Sequence, residues 1–134
     1  MNLEIYRLKG IELKNLKRDS PLDKWFYEMI QKNVNMLTIT DISHMLRQEI
    51  YLDIAIPLVW EQLLENPLCG EMYDGQMVEL LTRVFINNPG LKEVDLYTVF
   101  EKKAWMIYDA YDWDSDYEKE EYRNILLNFS QLFK

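Results

Sequence analysis

The residues that come closest to a chemical site in this 134-residue chain lie in the stretch YDAYDWDSDYEKEEY, residues 108–122. Seven carboxylates from Asp109 to Glu121 accompany one base, Lys119, so this stretch carries a net charge of −6. Three aromatic residues are interspersed with the acids: Tyr111, Trp113 and Tyr117. Three roles suit such a pattern: a metal-binding loop, a disordered acidic tract, or a surface that meets a basic partner.

The metal-binding hypothesis rests on Asp112, Asp114 and Asp116, whose spacing matches the first ligands of an EF-hand calcium loop. The sixth position of such a loop is glycine and the twelfth is a bidentate glutamate. Tyr117 and Arg123 occupy those two positions. A dedicated EF-hand is therefore excluded, and only a weak, incidental Ca²⁺ site is left open.

His44 and Cys69 are the only histidine and the only cysteine, so a nucleophilic mechanism of the usual kind must use them. His44 lies off the apolar stripe of its predicted helix, and a lone thiol beside a glycine is usually a small buried hydrophobe. One histidine and one cysteine also fall short of a zinc site, and no glycine-rich phosphate motif is present. A non-enzymatic protein without cofactors is expected, although a carboxylate-only hydrolase stays open.

Composition limits the remaining classes. Apolar residues make up 49% of the chain, which predicts a packed core rather than disorder. The net charge of −8 disfavours nucleic acid as a ligand, because such proteins present a basic face. No apolar run approaches the ~20 residues of a membrane helix, and the single cysteine gives no sign of an oxidising compartment. We therefore expect a cytoplasmic protein.

The hydrophobic periodicity after residue 19 predicts an all-α, mostly helical bundle of about six helices in one domain, residues 1–134. The first 19 residues are expected to form a short strand or an irregular arm. Ser20, Pro21 and Asp23 carry the start signal of the first long helix. Either Thr38 or Thr40 is suited to be the N-cap of the second long helix.

Pro57 is predicted to end or kink the second helix near residues 55–56 and to open a third helix, because proline has no N–H to donate. A fourth helix is expected over residues 76–85, before the breakers in NNPG. A fifth is predicted from about Asp95 to Tyr108. The last carries apolar residues at helical spacing, and Ser115 and Glu118 stand at capping-box spacing ahead of it.

The block DISHMLRQEIYLDIAIPLVWEQLLENPLCGEMYDGQMVELL, residues 41–81, resembles the immunity proteins of bacterial contact-dependent growth inhibition (CDI) systems. The recognisable elements are LRQ, an aliphatic helix reaching a proline, a leucine-rich helix ending in NP, and a turn with GE and YDG. Gln76 departs from this pattern, in which an acid would follow the glycine of YDG. The residues that carry these elements, interpreted as a scaffold motif, are Arg47, Gln48, Pro57, Pro67, Gly70, Tyr73, Asp74 and Gly75.

The resemblance implies a protein that binds the C-terminal toxin domain of a cognate CDI protein and blocks it by occlusion. Many such toxins are nucleases, and an acidic inhibitor complements their basic surfaces. The candidate toxin-binding residues are Asp109, Asp112, Trp113, Asp114, Asp116, Tyr117, Glu118, Glu120 and Glu121. Trp113 and its neighbours fit an interface hot spot, but they could equally cover the protein's own core. A helical adaptor or regulator that binds a basic host protein is the alternative.

Overall fold

The computed structural model describes residues 3–134 and confirms the all-α prediction. The described residues contain seven α-helices and, apart from one isolated antiparallel bridge between Glu4 and Asn33, no strand pairing. The chain divides into two compact units, one ending at Asp41 and the other spanning Ile42–Lys134. A single domain over residues 1–134 therefore stays a prediction. The helices are α1 Ile5–Leu8, α2 Pro21–Met29, α3 Ile39–Gln48, α4 Leu52–Glu65, α5 Gln76–Asn87, α6 Val94–Ala110 and α7 Asp116–Gln131.

The N-terminal arm is irregular apart from short helical turns, so it is not the strand that was one of its two predicted forms. Its helical turn, α1, is joined to the end of α2 by two backbone hydrogen bonds. The amide of Ile5 donates to the carbonyl of Lys32 at 3.0 Å, and that of Tyr6 donates to Ile30 at 2.8 Å. Ile5 is fully buried, so its side chain anchors this part of the arm.

Helix α2 begins at the predicted signal. The Ser20 hydroxyl accepts from the Asp23 amide at 3.0 Å, and the Asp23 carboxylate accepts from the Ser20 amide at 3.4 Å. This reciprocal capping box satisfies amides that have no partner within the helix. Thr38 and Asp41 form a second capping box at the start of α3, with distances of 3.1 and 3.0 Å. Both starts follow from local sequence.

The break between α3 and α4 lies at residues 49–51, so the predicted boundary at Pro57 is wrong. Glu49 and Tyr51 adopt left-handed backbone angles, with φ of 52° and 48°. The Ile50 amide donates to the Met45 carbonyl at 2.9 Å, which closes α3 in the manner usually associated with glycine. Pro57 lies inside α4 with an exposed side chain. Its ring is accommodated without ending the helix.

The second unit is built around aromatic side chains from four helices. Trp60 of α4 lies with its ring centroid 6.4 Å from that of Phe85 in α5 and 6.2 Å from that of Phe100 in α6. Phe129 of α7 lies 6.0 Å from Trp60. All four rings are almost completely buried. Aromatic burial of this extent contributes strongly to stability and holds α4 to α7 around one core.

Candidate functional site

The acidic segment, residues 109–121, is an ordered part of the second unit. It comprises the end of α6, a short connection and the first turns of α7. All seven of its carboxylates are exposed. They are Asp109, Asp112, Asp114, Asp116, Glu118, Glu120 and Glu121. Since the backbone is fixed on both sides, these charges are presented on a defined surface.

The start of α7 explains how the chain tolerates so many acids here. The Ser115 hydroxyl accepts a hydrogen bond from the Glu118 amide at 3.1 Å, as the capping signal predicted. Asp116 and Glu118 then lie in the first turn. Carboxylates in the first turn interact favourably with the positive end of the helix dipole, which offsets part of their mutual repulsion.

Trp113 packs on the protein itself and is half-buried. Its indole N–H donates to the carbonyl of Tyr108 at 3.0 Å. Its ring centroid lies 5.3 Å from that of the buried Tyr122 and 4.6 Å from that of Tyr111. The same side chain also borders a surface groove. Trp113 therefore covers the core and faces solvent, rather than doing only one of the two.

Facing the acidic segment is the turn segment, residues 67–75, which connects α4 to α5. The Gly75 amide donates to the Leu68 carbonyl at 2.9 Å, and the Met72 amide donates to the Gln76 side-chain oxygen at 2.6 Å. Gly70 has no room for a side chain, because an added Cβ would lie 2.3 Å from the carbonyl oxygen of Tyr73. The side-chain oxygen of Gln76 accepts the hydrogen bond from the Met72 amide, a role that the carboxylate of an acid at this position could also fill.

Tyr122 of α7 joins the two segments. Its hydroxyl donates to the Pro67 carbonyl at 3.0 Å, and its ring lies directly against Gly75. The same ring also contacts Trp113. Burial raises the pKa of the Tyr122 phenol, so the hydroxyl keeps its proton and stays a donor. One buried ring therefore positions both the turn segment and the acidic segment.

Between the turn segment, α5 and α7 lies a groove of about 480 Å³. Met72 and Ile125 contribute apolar surface to it. Its aromatic lining consists of Tyr73, Trp113 and Tyr117. Its carboxylates are Asp74, Glu79, Asp114, Glu118 and Glu121. The groove is thus an acidic depression with aromatic sides, and among residues 3–134 no lysine, arginine or histidine lines it.

Two tyrosines show how the groove carboxylates act on their surroundings. Burial, together with a hydrogen bond to Glu79, raises the pKa of Tyr73 to about 12. Arg47 and Arg83 oppose this shift through their charges. The negative charge of Asp74 raises the pKa of Tyr111. Both phenols therefore remain neutral donors to carboxylates at physiological pH.

The structure brings together residues that the sequence placed in separate sets. Of the candidate binding residues in the acidic segment, Trp113, Asp114, Tyr117, Glu118 and Glu121 line the groove. The others, Asp109, Asp112, Asp116 and Glu120, are exposed but do not line it.

Tyr73 and Asp74, interpreted from the sequence as scaffold, line the same groove. Met72 and Glu79 were missed, although Glu79 is an exposed polar position in the first turn of the amphipathic α5. That helical position was the signal that could have identified it.

Of the remaining scaffold residues, Arg47, Gln48 and Pro67 lie at or near helix ends, whereas Pro57 lies inside α4. Arg47 approaches the Glu71 carboxylate of the turn region at 3.8 Å. Gln48 is the exposed last residue of α3. The Pro67 backbone lies buried, with its carbonyl accepting from the Tyr122 hydroxyl. These contacts are compatible with a structural role for the motif.

The two potential catalytic residues lie on different elements, Cys69 in the turn segment and His44 on α3. Burial raises the pKa of the Cys69 thiol to about 11, so it is protonated and unreactive near neutral pH. His44 is half-buried on α3. In residues 3–134, no group of three or more histidine, cysteine or carboxylate side chains is arranged to hold a metal ion. A search of the same residues finds no helix long and apolar enough to cross a membrane.

Comparison with known proteins adds one match. The family model described as CDI immunity proteins matches residues 7–97. No curated protein matches the chain. The matched range contains the turn segment and Glu79 but ends before the acidic segment. The groove is therefore formed by one side that lies within the family match and one side that lies outside it.

Proposed function

Because the chain belongs to the CDI immunity proteins, we propose that it protects a bacterium by binding the C-terminal toxin domain of a cognate CDI protein. It acts in the cytoplasm, where a delivered toxin reaches its target. The protein inhibits by occlusion and performs no reaction of its own. The protonated Cys69 and the family membership support this over an enzymatic role.

The acidic segment is the proposed contact surface. The observation that carries this proposal is the exposure of all seven carboxylates on backbone that is already ordered. An ordered surface loses little conformational entropy on binding. Concentrated negative charge also accelerates association with a positively charged partner, in a way that depends on salt.

The partner that fits this surface is a basic toxin domain, and a nuclease is the class proposed. Nucleases hold phosphate backbones with lysine and arginine, so their active-site faces are positively charged. An inhibitor that covers such a face needs the opposite charge rather than a catalytic group. The segment lies outside the family match, which is consistent with a contact that is specific to one toxin.

Co-expression tests the proposed function directly. The probe is the C-terminal domain of the large secreted protein that we expect to be encoded next to this chain's gene. We expect growth to be restored when the two are produced together, and a stable complex to be recovered after purification. Continued killing together with no binding of the purified proteins would overturn the immunity role.

Charge reversal tests the contact surface. Asp112, Asp114 and Asp116 are exposed, so their replacement by lysine should leave the fold intact. Affinity for the toxin domain should fall more than tenfold, and its salt dependence should flatten. Unchanged affinity would place the interface on another face of the protein. A basic host protein in pull-downs, with no toxin binding, would favour the adaptor alternative.

A further inference from the structure

We propose that the groove between the turn segment and α7 receives an arginine side chain of the toxin domain. The inference rests on the proposed function and adds a defined pocket and occupant to it. It also extends the contact surface beyond the acidic segment, to Tyr73, Asp74 and Glu79. The guanidinium group would lie among the carboxylates and against the aromatic rings.

The groove carries five carboxylates, and although Arg47 and Arg83 act on Tyr73 through their charges, neither lines it. None of its five carboxylates forms a salt bridge with a described lysine, arginine or histidine. The lysine of the acidic segment, Lys119, lies over the ring of Tyr108 at 5.0 Å. Arg123 approaches Glu120, which does not line the groove. A cation from another molecule is therefore the complementary partner.

The groove also holds apolar and aromatic surface exposed to water. The exposed fractions are 76% for Met72, 73% for Tyr117 and 48% for Tyr73. Large apolar side chains that flank a concave site are typical of binding surfaces. An aromatic face attracts a cation through its quadrupole, so these rings and the carboxylates favour the same occupant.

Arginine fits this combination better than lysine or a metal ion. Its planar guanidinium stacks on aromatic rings and binds carboxylates in a fork, while the lysine ammonium is a compact, strongly hydrated charge. The volume of about 480 Å³ accommodates a long side chain together with part of the segment that carries it. A metal ion lacks a suitable ligand group among residues 3–134.

Two matched double variants separate the groove from general charge attraction. Glu118→Gln with Glu121→Gln removes two charges that line the groove, while Glu61→Gln with Glu65→Gln removes two charges of α4 that lie outside both the groove and the acidic segment. All four residues are exposed and lie on helices. We expect the groove variant to bind the toxin domain more than tenfold more weakly, mainly through faster dissociation. The control should change affinity less than threefold.

The outcomes distinguish the two levels of proposal. Equal losses in both double variants, while the wild type binds tightly, would overturn the groove and leave the immunity role in place. A wild-type protein that binds no toxin domain would overturn the proposed function itself. Circular dichroism of each variant shows that the fold is kept before binding is measured.

A small-molecule probe tests the occupant without the toxin. Acetyl-arginine amide at millimolar concentration should shift the indole N–H resonance of Trp113, assigned through Trp113→Phe. Acetyl-citrulline amide has nearly the same shape without the charge, and it should leave the resonance in place. Tyr117→Ala should weaken the arginine shift, and Tyr117→Phe should retain it, because the ring is kept. No difference between the two probes would overturn the arginine assignment.

Discussion

Gly75 lies so close to Tyr122 that a Cβ on the glycine would be 2.7 Å from Cδ1 of the tyrosine ring. Gly75 also has a φ of 87°, a conformation that side chains disfavour. Two independent constraints therefore require glycine at this position. The contact holds the turn segment against α7 and thereby sets the distance between the two sides of the groove.

Gly75→Ala should destabilise the fold by about 2–4 kcal/mol, from backbone strain and displacement of the Tyr122 ring. Urea denaturation followed by circular dichroism measures this. Gly90→Ala is the matched control, because an added Cβ there meets nothing within 4 Å and its φ is not in the left-handed region. Equal stability of the two variants would contradict the proposed constraint.

Tyr122→Phe removes only the hydroxyl that donates to the buried Pro67 carbonyl. Loss of a hydrogen bond to a buried acceptor should cost about 1–2 kcal/mol. The ring stays, so the contacts with Trp113 and Gly75 are preserved. Tyr117→Phe, which alters an exposed ring, should change stability by less than about 0.5 kcal/mol. A comparable loss in both variants would show that the Pro67 hydrogen bond is not the cause.

Asp41 predicts an acid-sensitive contribution to stability. Burial by itself would raise the pKa of its carboxyl, but hydrogen bonds from Lys32, the Thr38 amide and Trp25, with the charge of Lys32, lower it. The Lys32 nitrogen lies 2.7 Å from the carboxylate and the Trp25 indole nitrogen 3.0 Å. The folded state thus favours the ionised form.

Asp41→Asn should therefore lower stability at pH 7 by about 2–3 kcal/mol, because charged hydrogen bonds are lost. The wild-type advantage is present above the unfolded pKa of about 3.9 and disappears as the pH falls through the lower folded value. Urea midpoints of the two proteins should consequently converge as the pH falls below about 4. A constant difference at all pH values would contradict the assignment.

Cys69 should react slowly with iodoacetamide while the protein is folded. Its pKa of about 11 leaves little thiolate at pH 8. The reaction should be about a hundredfold slower than in the urea-unfolded chain, because only the thiolate is the nucleophile. The rate should keep increasing with pH beyond 9 in the native protein. A plateau near pH 9 would indicate an unburied thiol.

Local signals accounted for most of the helices. Ser20 with Asp23, and Ser115 with Glu118, predicted two helix starts correctly because capping depends on residues three positions apart. The break at Glu49 was missed, since a non-glycine residue there adopts the left-handed conformation that usually signals glycine. Its carboxylate accepts hydrogen bonds from the side chains of Asn87 and Asn88, contacts across 38 and 39 positions. Periodicity carries no information about such distant partners.

The sequence predicted each side of the candidate site separately, but it did not predict that the two sides meet. Charge and aromatic spacing identified the acidic segment, and turn residues identified the region around Gly75. Their meeting depends on the packing of α5 against α7 and on Tyr122, which appeared in the sequence only as one residue of an apolar stripe. Helical spacing shows which side of a helix is buried, but it does not show which other element covers that side.

Tyr122 holds the turn segment to α7 without lining the groove, so the residues on the two sides of the groove can change independently of each other. The turn segment is fixed by glycines and backbone hydrogen bonds, whereas most groove residues on α7 project into solvent. Substitutions at positions such as 117, 118 and 121 alter one side of the groove while Tyr122 and the turn retain their contacts. Under the proposed arginine contact, a lineage can therefore adjust to a changing toxin by mutating a few exposed positions on one helix, without destabilising the fold it inherits.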